Sequence, residues 1–391
     1  MKMKVNRTRL SELFVALILV LMLTAIIFFE GRKDFGQSGQ LSVVVDGETP
    51  ISRILIGGER NIVIAKFRFF AKDEPFLVKQ LRVGIGDRQS NQCVEAVKIN
   101  YPRQDGGRED KVGVLDGKVL GAADFSNLNF FVPEKKPAIL TVSVDLWRIV
   151  SDGCSGSKIT ASLVFDFFEA IGQKSNERLT AHGGKKDDGL GSGATVNAFP
   201  MTIRKTKPTV TLAAGSPAGA DVPKTNQEIL RFNISADQGD DLEILEIDFC
   251  LTASDQDANG WSNITALADK LTLYERDDLT TPLNGRWTLA DTRTGLSRII
   301  YAKFIFSPRK TISAGVSKLF SLLMNTSGAR RSNSEGDGDK IIVEIIAMTN
   351  IGGTLGLLNG IVWNETGVGA ATEINGANVT NLPVTGGTII Y

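Results

Sequence analysis

A chain of 391 residues has room for two or three domains. Its 44 Lys and Arg balance 44 Asp and Glu, so no global field draws it to nucleic acid or to an acidic surface. One His removes most histidine-based catalysis and most zinc sites, and the abundance of Gly, Val, Ile, Thr and Phe favours strands and long turns.

The first predicted element is a transmembrane helix at Leu13–Phe29, a run without charge, Gly or Pro. As a helix it is about 26 Å long, enough for the hydrocarbon core of a bilayer. Lys2, Lys4, Arg7 and Arg9 precede it, whereas the charges of Glu30, Arg32, Lys33 and Asp34 cancel behind it. Positive charge resists translocation, so residues 1–12 are expected in the cytoplasm and the bulk of the chain outside. Ile26-Ile27-Phe28-Phe29-Glu30 offers no small-x-small cleavage site, which favours a retained anchor over a cleaved signal peptide.

Residues 30–40 read as a short stalk rich in Gly and polar residues. Strands are predicted at Leu41–Val45, Asn61–Ala71, Phe76–Ile85, Val94–Tyr101, Lys111–Leu120, Asn127–Val132, Ala138–Leu146, Lys158–Ala170 and Thr195–Arg204. Turns rich in Gly, Asp, Asn and Pro separate them. The pattern then restarts. Ile64–Asp73 matches Ile229–Asp237, and Val78–Val83 matches Ile244–Phe249. Asn129–Pro133 matches Phe304–Pro308, Lys158–Val164 matches Lys340–Ile346, and Asn197–Pro200 matches Asn381–Pro383. Five matches in one order indicate an internal duplication. In both copies apolar and polar residues alternate: Phe67 and Phe69 against Lys66 and Arg68, then Leu230, Phe232 and Ile234 against Arg231 and Asn233. Strands with one apolar face build two-layer structures. The expected fold is an all-β ectodomain: two tandem, related β-sandwich domains of immunoglobulin-like or jelly-roll-like type, 41–205 and 206–391, after the transmembrane helix. Pro133 and Pro308 are expected at strand ends, where a missing N–H costs little.

Three Cys suit an exported protein with at most one disulfide. Pairing Cys93 with Cys154 closes a loop of about 60 residues; two free thiols are the alternative. Cys250, on the polar phase of a strand, is expected to be free. The chemically richest motif is Asp255-Gln-Asp257-Ala-Asn259-Gly260-Trp261-Ser-Asn263. Oxygen ligands at alternate positions before a Gly turn fit calcium, with Asp255, Asp257, Asn259 and Asn263 as ligands. Ala266 stands where an EF-hand places its bidentate Glu. His182 lies in a Gly-rich loop without partners at ligand spacing. Glycosylation triplets occur at Asn233, Asn263, Asn325, Asn364 and Asn378, with Asn263 and Asn364 expected in accessible loops. No nucleophile elbow or phosphate loop is present, and no catalytic residue is assigned.

Pro208–Pro217 with Glu228–Asp237 resembles a family of cell-surface proteins of small-celled bacteria. That family has an N-terminal membrane segment and tandem β-sandwich repeats. The resemblance implies the same architecture here and no activity. Leu10–Leu19, with Glu12, resembles the start of a type IV pilin, although Arg7 stands where that family has a small residue. The functional expectation is a single-pass, non-enzymatic surface protein with a structural or adhesive role. Its partners would be the membrane and other surface proteins or glycans. The alternatives are a pilin-like filament subunit and a carbohydrate-binding module that stacks sugars on Trp261, Trp287 and Trp363, although Trp287 sits within a strand pattern that favours core packing.

Overall fold

The computed structural model describes residues 39–86, 92–113, 115, 121–149, 152–180, 195–254, 271–294, 297–330, 338–352, 356–366, 374, 379 and 381–391. The predicted helix Leu13–Phe29 lies outside these residues. Among the described residues no helix is long and apolar enough to cross a membrane. The chain divides into two compact units, Met1–Ile203 and Arg204–Tyr391.

The first unit is built from β1 (Leu41–Val45), β2 (Ile54–Ile56), β3 (Ile62–Ala71), β4 (Phe76–Gly84), β5 (Val94–Pro102), β6 (Arg108–Gly113), β7 (Ala122–Phe125), β8 (Phe130–Val132), β9 (Pro137–Leu146), β10 (Lys158–Ile159), β11 (Ser162–Gly172), β12 (Arg178–Thr180), β13 (Thr195–Asn197) and β14 (Met201–Arg204). One sheet runs β1-β3-β9-β5-β6. The opposing sheet runs β12-β11-β4-β7, with β8 and β13 added to β4 and β11. A small third sheet joins β10, β14 and β2. Strict alternation explains the layers. Phe67 and Phe69 of β3 and Val97, Ile99 and Tyr101 of β5 point inward and are buried. They meet Val78, Leu81, Phe130 and Leu163 from the facing sheet in one core. The layers interlock where the Phe69 and Phe130 rings meet edge to face, 4.8 Å between centroids.

Two predicted strands shift. β6 begins at Arg108, three residues before the expected Lys111, and most of the expected stretch beyond Gly113 lies outside the described residues. The expected Asn127–Val132 strand is shorter, β8 alone, and the unpredicted β7 precedes it, both on β4. Between them Asn127 takes a left-handed turn at φ 52°.

The second unit comprises β15 (Pro208–Leu212), β16 (Gly219–Ala220), β17 (Gln227–Ala236), β18 (Leu242–Ser254), β19 (Leu271–Glu275), β20 (Gly285–Thr294), β21 (Ser297–Ile312), β22 (Ser317–Met324), β23 (Lys340–Ile345), β24 (Thr349–Gly352), β25 (Gly356–Leu358), β26 (Ile361–Glu365), β27 (Val384–Thr385) and β28 (Ile389–Ile390). Its sheets run β15-β17-β22-β19 and β16-β28-β23-β18-β21-β20, with β26 and β27 added to β18 and β23. Phe232 and Phe249 meet between the layers at 6.0 Å.

The duplication is visible in the pairing. β1-β3-β9-β5 repeats as β15-β17-β22-β19. In the facing layer β4, flanked by β11 and β8, repeats as β18, flanked by β23 and β21. The two copies differ at their prolines. Pro133 follows β8, but Pro308 lies inside β21 rather than at a strand end. Pairing with β18 there jumps from Ile305 to Lys310, so the proline occupies a bulge and breaks no ladder bond.

Glu74 fastens the entry to the first sandwich. It is only 3% exposed. Its Oε1 accepts from the Gly39 N–H at 3.1 Å and the Ser175 hydroxyl at 2.7 Å; Oε2 accepts from the Lys174 and Ser175 N–H groups at 2.7 and 2.9 Å. Burial alone would raise its pKa, but these bonds, led by Ser175, hold it below the usual carboxylate range. Glu74→Ala strands three N–H groups and is expected to cost about 3 kcal/mol in the first unit's unfolding free energy, read by urea titration. The native carboxylate's contribution is complete above the unfolded pKa near 4.5. It is lost as pH falls through the lower folded value, so the variant and the native chain converge in acid.

Candidate functional site

The outer face of the first unit's β1-β3-β9-β5-β6 sheet carries the most developed surface constellation. β9 sends Leu140, Val142, Val144 and Leu146 into the core. Thr141, Ser143 and Asp145 therefore face outward, and Trp147, just past the strand, continues their phase. Trp147 is 51% exposed. Its backbone is held on both sides: its N–H donates to the Cys93 carbonyl at 3.0 Å, and its carbonyl accepts from the Gly58 N–H at 3.1 Å. The indole is thus carried on a fixed backbone.

Asp145, two residues back, is buried and organises the charges around it. One oxygen accepts from the Asn61 N–H at 2.8 Å and Lys98 Nζ at 2.9 Å; the other lies 2.7 Å from Lys98 Nζ and 3.6 Å from Arg60. Burial works to raise its pKa. Lys98, the Asn61 N–H and Arg60 outweigh it and hold the group below the ordinary range, so it is ionised at neutral pH. Arg60 also pairs with Glu95 at 2.7 Å while its own side chain stays 59% exposed. The face therefore offers an indole, a guanidinium, an ammonium and a carboxylate. Two cations and two anions leave no net charge.

The second unit holds a different arrangement on the outer face of β18. Asp248 is fully buried there. Its Oδ2 accepts from the N–H groups of Asn359 and Gly360 at 2.6 and 3.1 Å, while Oδ1 has no hydrogen-bond partner. Glu246, beside it, accepts from Lys303 at 2.7 Å and the Asn359 amide at 3.2 Å. Burial first, and Glu246 second, push the Asp248 pKa up to about 7; Lys303 and the two N–H groups only partly offset them. The short hairpin of β24 and β25 lies over the same face. Its Leu358 packs with Ile346 against Cys250, Ala290, Tyr301 and Ile351.

Of the residues singled out from sequence, Cys93 and Cys154 are joined, with Cα atoms 5.5 Å apart. Cys250 is free, and its thiol pKa is pushed up to about 11 by burial and then by Glu344, so it is a poor nucleophile. Asp255, Asp257, Asn259, Trp261, Asn263 and His182 lie outside the described residues. Among the described residues no group of three or more His, Cys, Asp and Glu side chains is placed to hold a metal ion. Two expectations are corrected. Trp363 is no stacking surface, because β26 turns it fully into the core. Asn364 is not an accessible loop residue, because it belongs to the same buried strand. Trp287 is half-buried against Phe249 and Phe304, the latter at 4.8 Å, as a packing role requires.

Sequence reasoning missed Trp147 and Asp248. A signal for the first existed: Trp147 falls on the polar phase of an otherwise regular strand. None existed for Asp248, whose cover comes from residues more than a hundred positions away.

No family model and no curated protein matches the chain. Among solved structures, the C-terminal domain of the Streptococcus agalactiae antigen I/II polypeptide BspA is similar. It is 9% identical, with 90% of this chain and 100% of that one covered and a TM-score of 0.17. The C-terminal domain of the Streptococcus pyogenes antigen I/II-family protein AspA is also similar. It is 9% identical, with 90% and 99% covered and a TM-score of 0.21. At such scores the likeness carries no weight. The class of the protein, two related β-sandwiches in tandem, rests on its own sheets.

Proposed function

We propose that the protein is a single-pass membrane protein that displays two β-sandwiches outside the cytoplasm as a structural or adhesive component of the cell surface. Binding rather than catalysis is the activity assigned. The observation that carries this reading is the Cys93–Cys154 bond in the first unit. Disulfides persist in oxidising compartments and are rare in the cytosol. The uncharged run Leu13–Phe29, with its basic N-terminal flank, supplies the anchor and the same orientation by an independent argument. Sandwiches expose loops and sheet faces that vary without disturbing the core, which suits a binding role.

Protease added to intact cells is expected to remove the two sandwiches and leave a membrane-embedded N-terminal fragment. A chain that is cut only after lysis, or one that leaves the membrane in carbonate wash, overturns the reading.

A further inference from the structure

We infer that the outer face of the first sandwich around Trp147 is a binding site for a neutral glycan. This deepens the surface-protein reading and rests on it.

Single exposed apolar residues are common on proteins and need no explanation. Trp147 differs in what surrounds it. Its backbone is fixed on both sides, by Cys93 and by Gly58, so the main chain that carries the ring is ordered before any ligand arrives. Little ordering entropy is left to lose on binding. Gly58, whose N–H donates to the Trp147 carbonyl, carries no side chain of its own. Two residues back along the chain, Asp145 gathers donors and acceptors. Buried Asp145 positions Lys98 and Arg60 without itself facing solvent, and Glu95 completes the group by holding Arg60. Ser143 lies further along the strand on the same face. Alternate residues of a strand are about 7 Å apart, which sets the spacing of Ser143, Asp145 and Trp147 along the face.

The chemistry selects the ligand class. An indole takes an apolar C–H surface, and a paired guanidinium and carboxylate take neighbouring hydroxyls. A pyranose presents both. The equal count of cations and anions gives no attraction for a polyanion such as nucleic acid and none for a polycation. A neutral, polyhydroxylated chain lying along β9 satisfies each group. Trp147 is the stacking residue, Arg60, Glu95 and Lys98 contact the hydroxyls, and Asp145 is a positioning residue.

The test uses the full chain in detergent micelles. It is first screened on a glycan array, then titrated with cellotetraose, chitotetraose and mannotetraose, with heparin tetrasaccharide as the anionic comparison. At least one neutral oligosaccharide is expected to bind, with little dependence on salt. Trp147→Ala is expected to weaken binding by about tenfold or more, as loss of an aromatic anchor does, while Trp147→Tyr retains most of it. Leu357→Ala, an exposed apolar residue of the second unit, leaves binding unchanged. The melting temperature of each variant establishes that it is folded. Absence of binding to every neutral glycan overturns the inference. So does wild-type affinity in Trp147→Ala, or binding to heparin alone. The surface-protein reading fails on a different result, protection from protease on intact cells, so the two failures are told apart.

Discussion

The double variant Cys93→Ala, Cys154→Ala is expected to lose about 4 kcal/mol of stability in the first sandwich and none in the second. The bond closes a loop of 61 residues. In the chain-entropy account a loop of that length restricts the unfolded chain by about that amount. Cys93 is buried where β5 begins, and Cys154 lies in the short 3₁₀ turn Asp152–Cys154 before β10. The bond therefore joins the five-stranded sheet to the segment that leads into the small third sheet. Each unit has its own core, so calorimetry should resolve two transitions. The first is expected to fall by roughly 10 °C in the variant, and in native protein under reductant. A shift shared equally by both transitions, or none in either, contradicts this account.

Replacing Asp248 with Asn is expected to stabilise the second sandwich at pH 8 and to leave it nearly unchanged at pH 4. In the folded chain the Asp248 pKa is pushed up to about 7, chiefly by burial and then by Glu246. In the unfolded chain it returns to about 4. Between those values the unfolded chain has released the proton and the folded chain keeps it. Stability therefore falls as pH rises through this window, and the cost is complete above about 7. Asn carries no charge, yet its amide oxygen can still accept from the Asn359 and Gly360 N–H groups. The gain at pH 8 is expected to be a few kcal/mol, on the order set by a shift of this size. The charged and titratable groups that face the site are Glu246 and Cys250 on β18, Lys303 and Tyr301 on β21, and Glu344 on β23. Of these only Glu246, already paired with Lys303, opposes the Asp248 charge strongly. Melting temperatures of the second transition from pH 4 to 8 decide the matter. A variant less stable than the native chain at pH 8 would mean that the ionised carboxylate holds residues 359–360 more strongly than its burial disfavours it.

Much of the framework was legible because it is written in local alternation. β1 falls at Leu41–Val45 as expected, and β3, β4, β5 and β9 follow their apolar phases to within a residue or two. The duplication could be read because β3 and β17, and β4 and β18, keep the same inward spacing. Sequence was less informative wherever distant segments meet. Nothing near Cys93 says that Cys154 arrives within bonding distance. Nothing near Asp248 says that Asn359 and Gly360 will cover it. Trp363 was expected at the surface, and its neighbours Asn364 and Glu365 are polar. Yet β26 is buried on every residue, and both polar groups lie inside. Period-two reasoning assumes one wet face, and it fails where a strand is covered on both sides.

Glu74 has a mechanical consequence. Tension applied from the N-terminal side reaches the first sandwich at Gly39. The bonds then stand in series: Gly39 to Glu74, Lys72 to the Gln40 carbonyl, and only then the Leu41–Ala71 end of the β1–β3 ladder. A strand loaded from its end peels one rung at a time unless something upstream holds. Glu74 sits at that position, tied at the same time to the turn at Lys174 and Ser175. A pull on the leash is thereby shared with β11 and β12 before it can unzip the edge of the sheet.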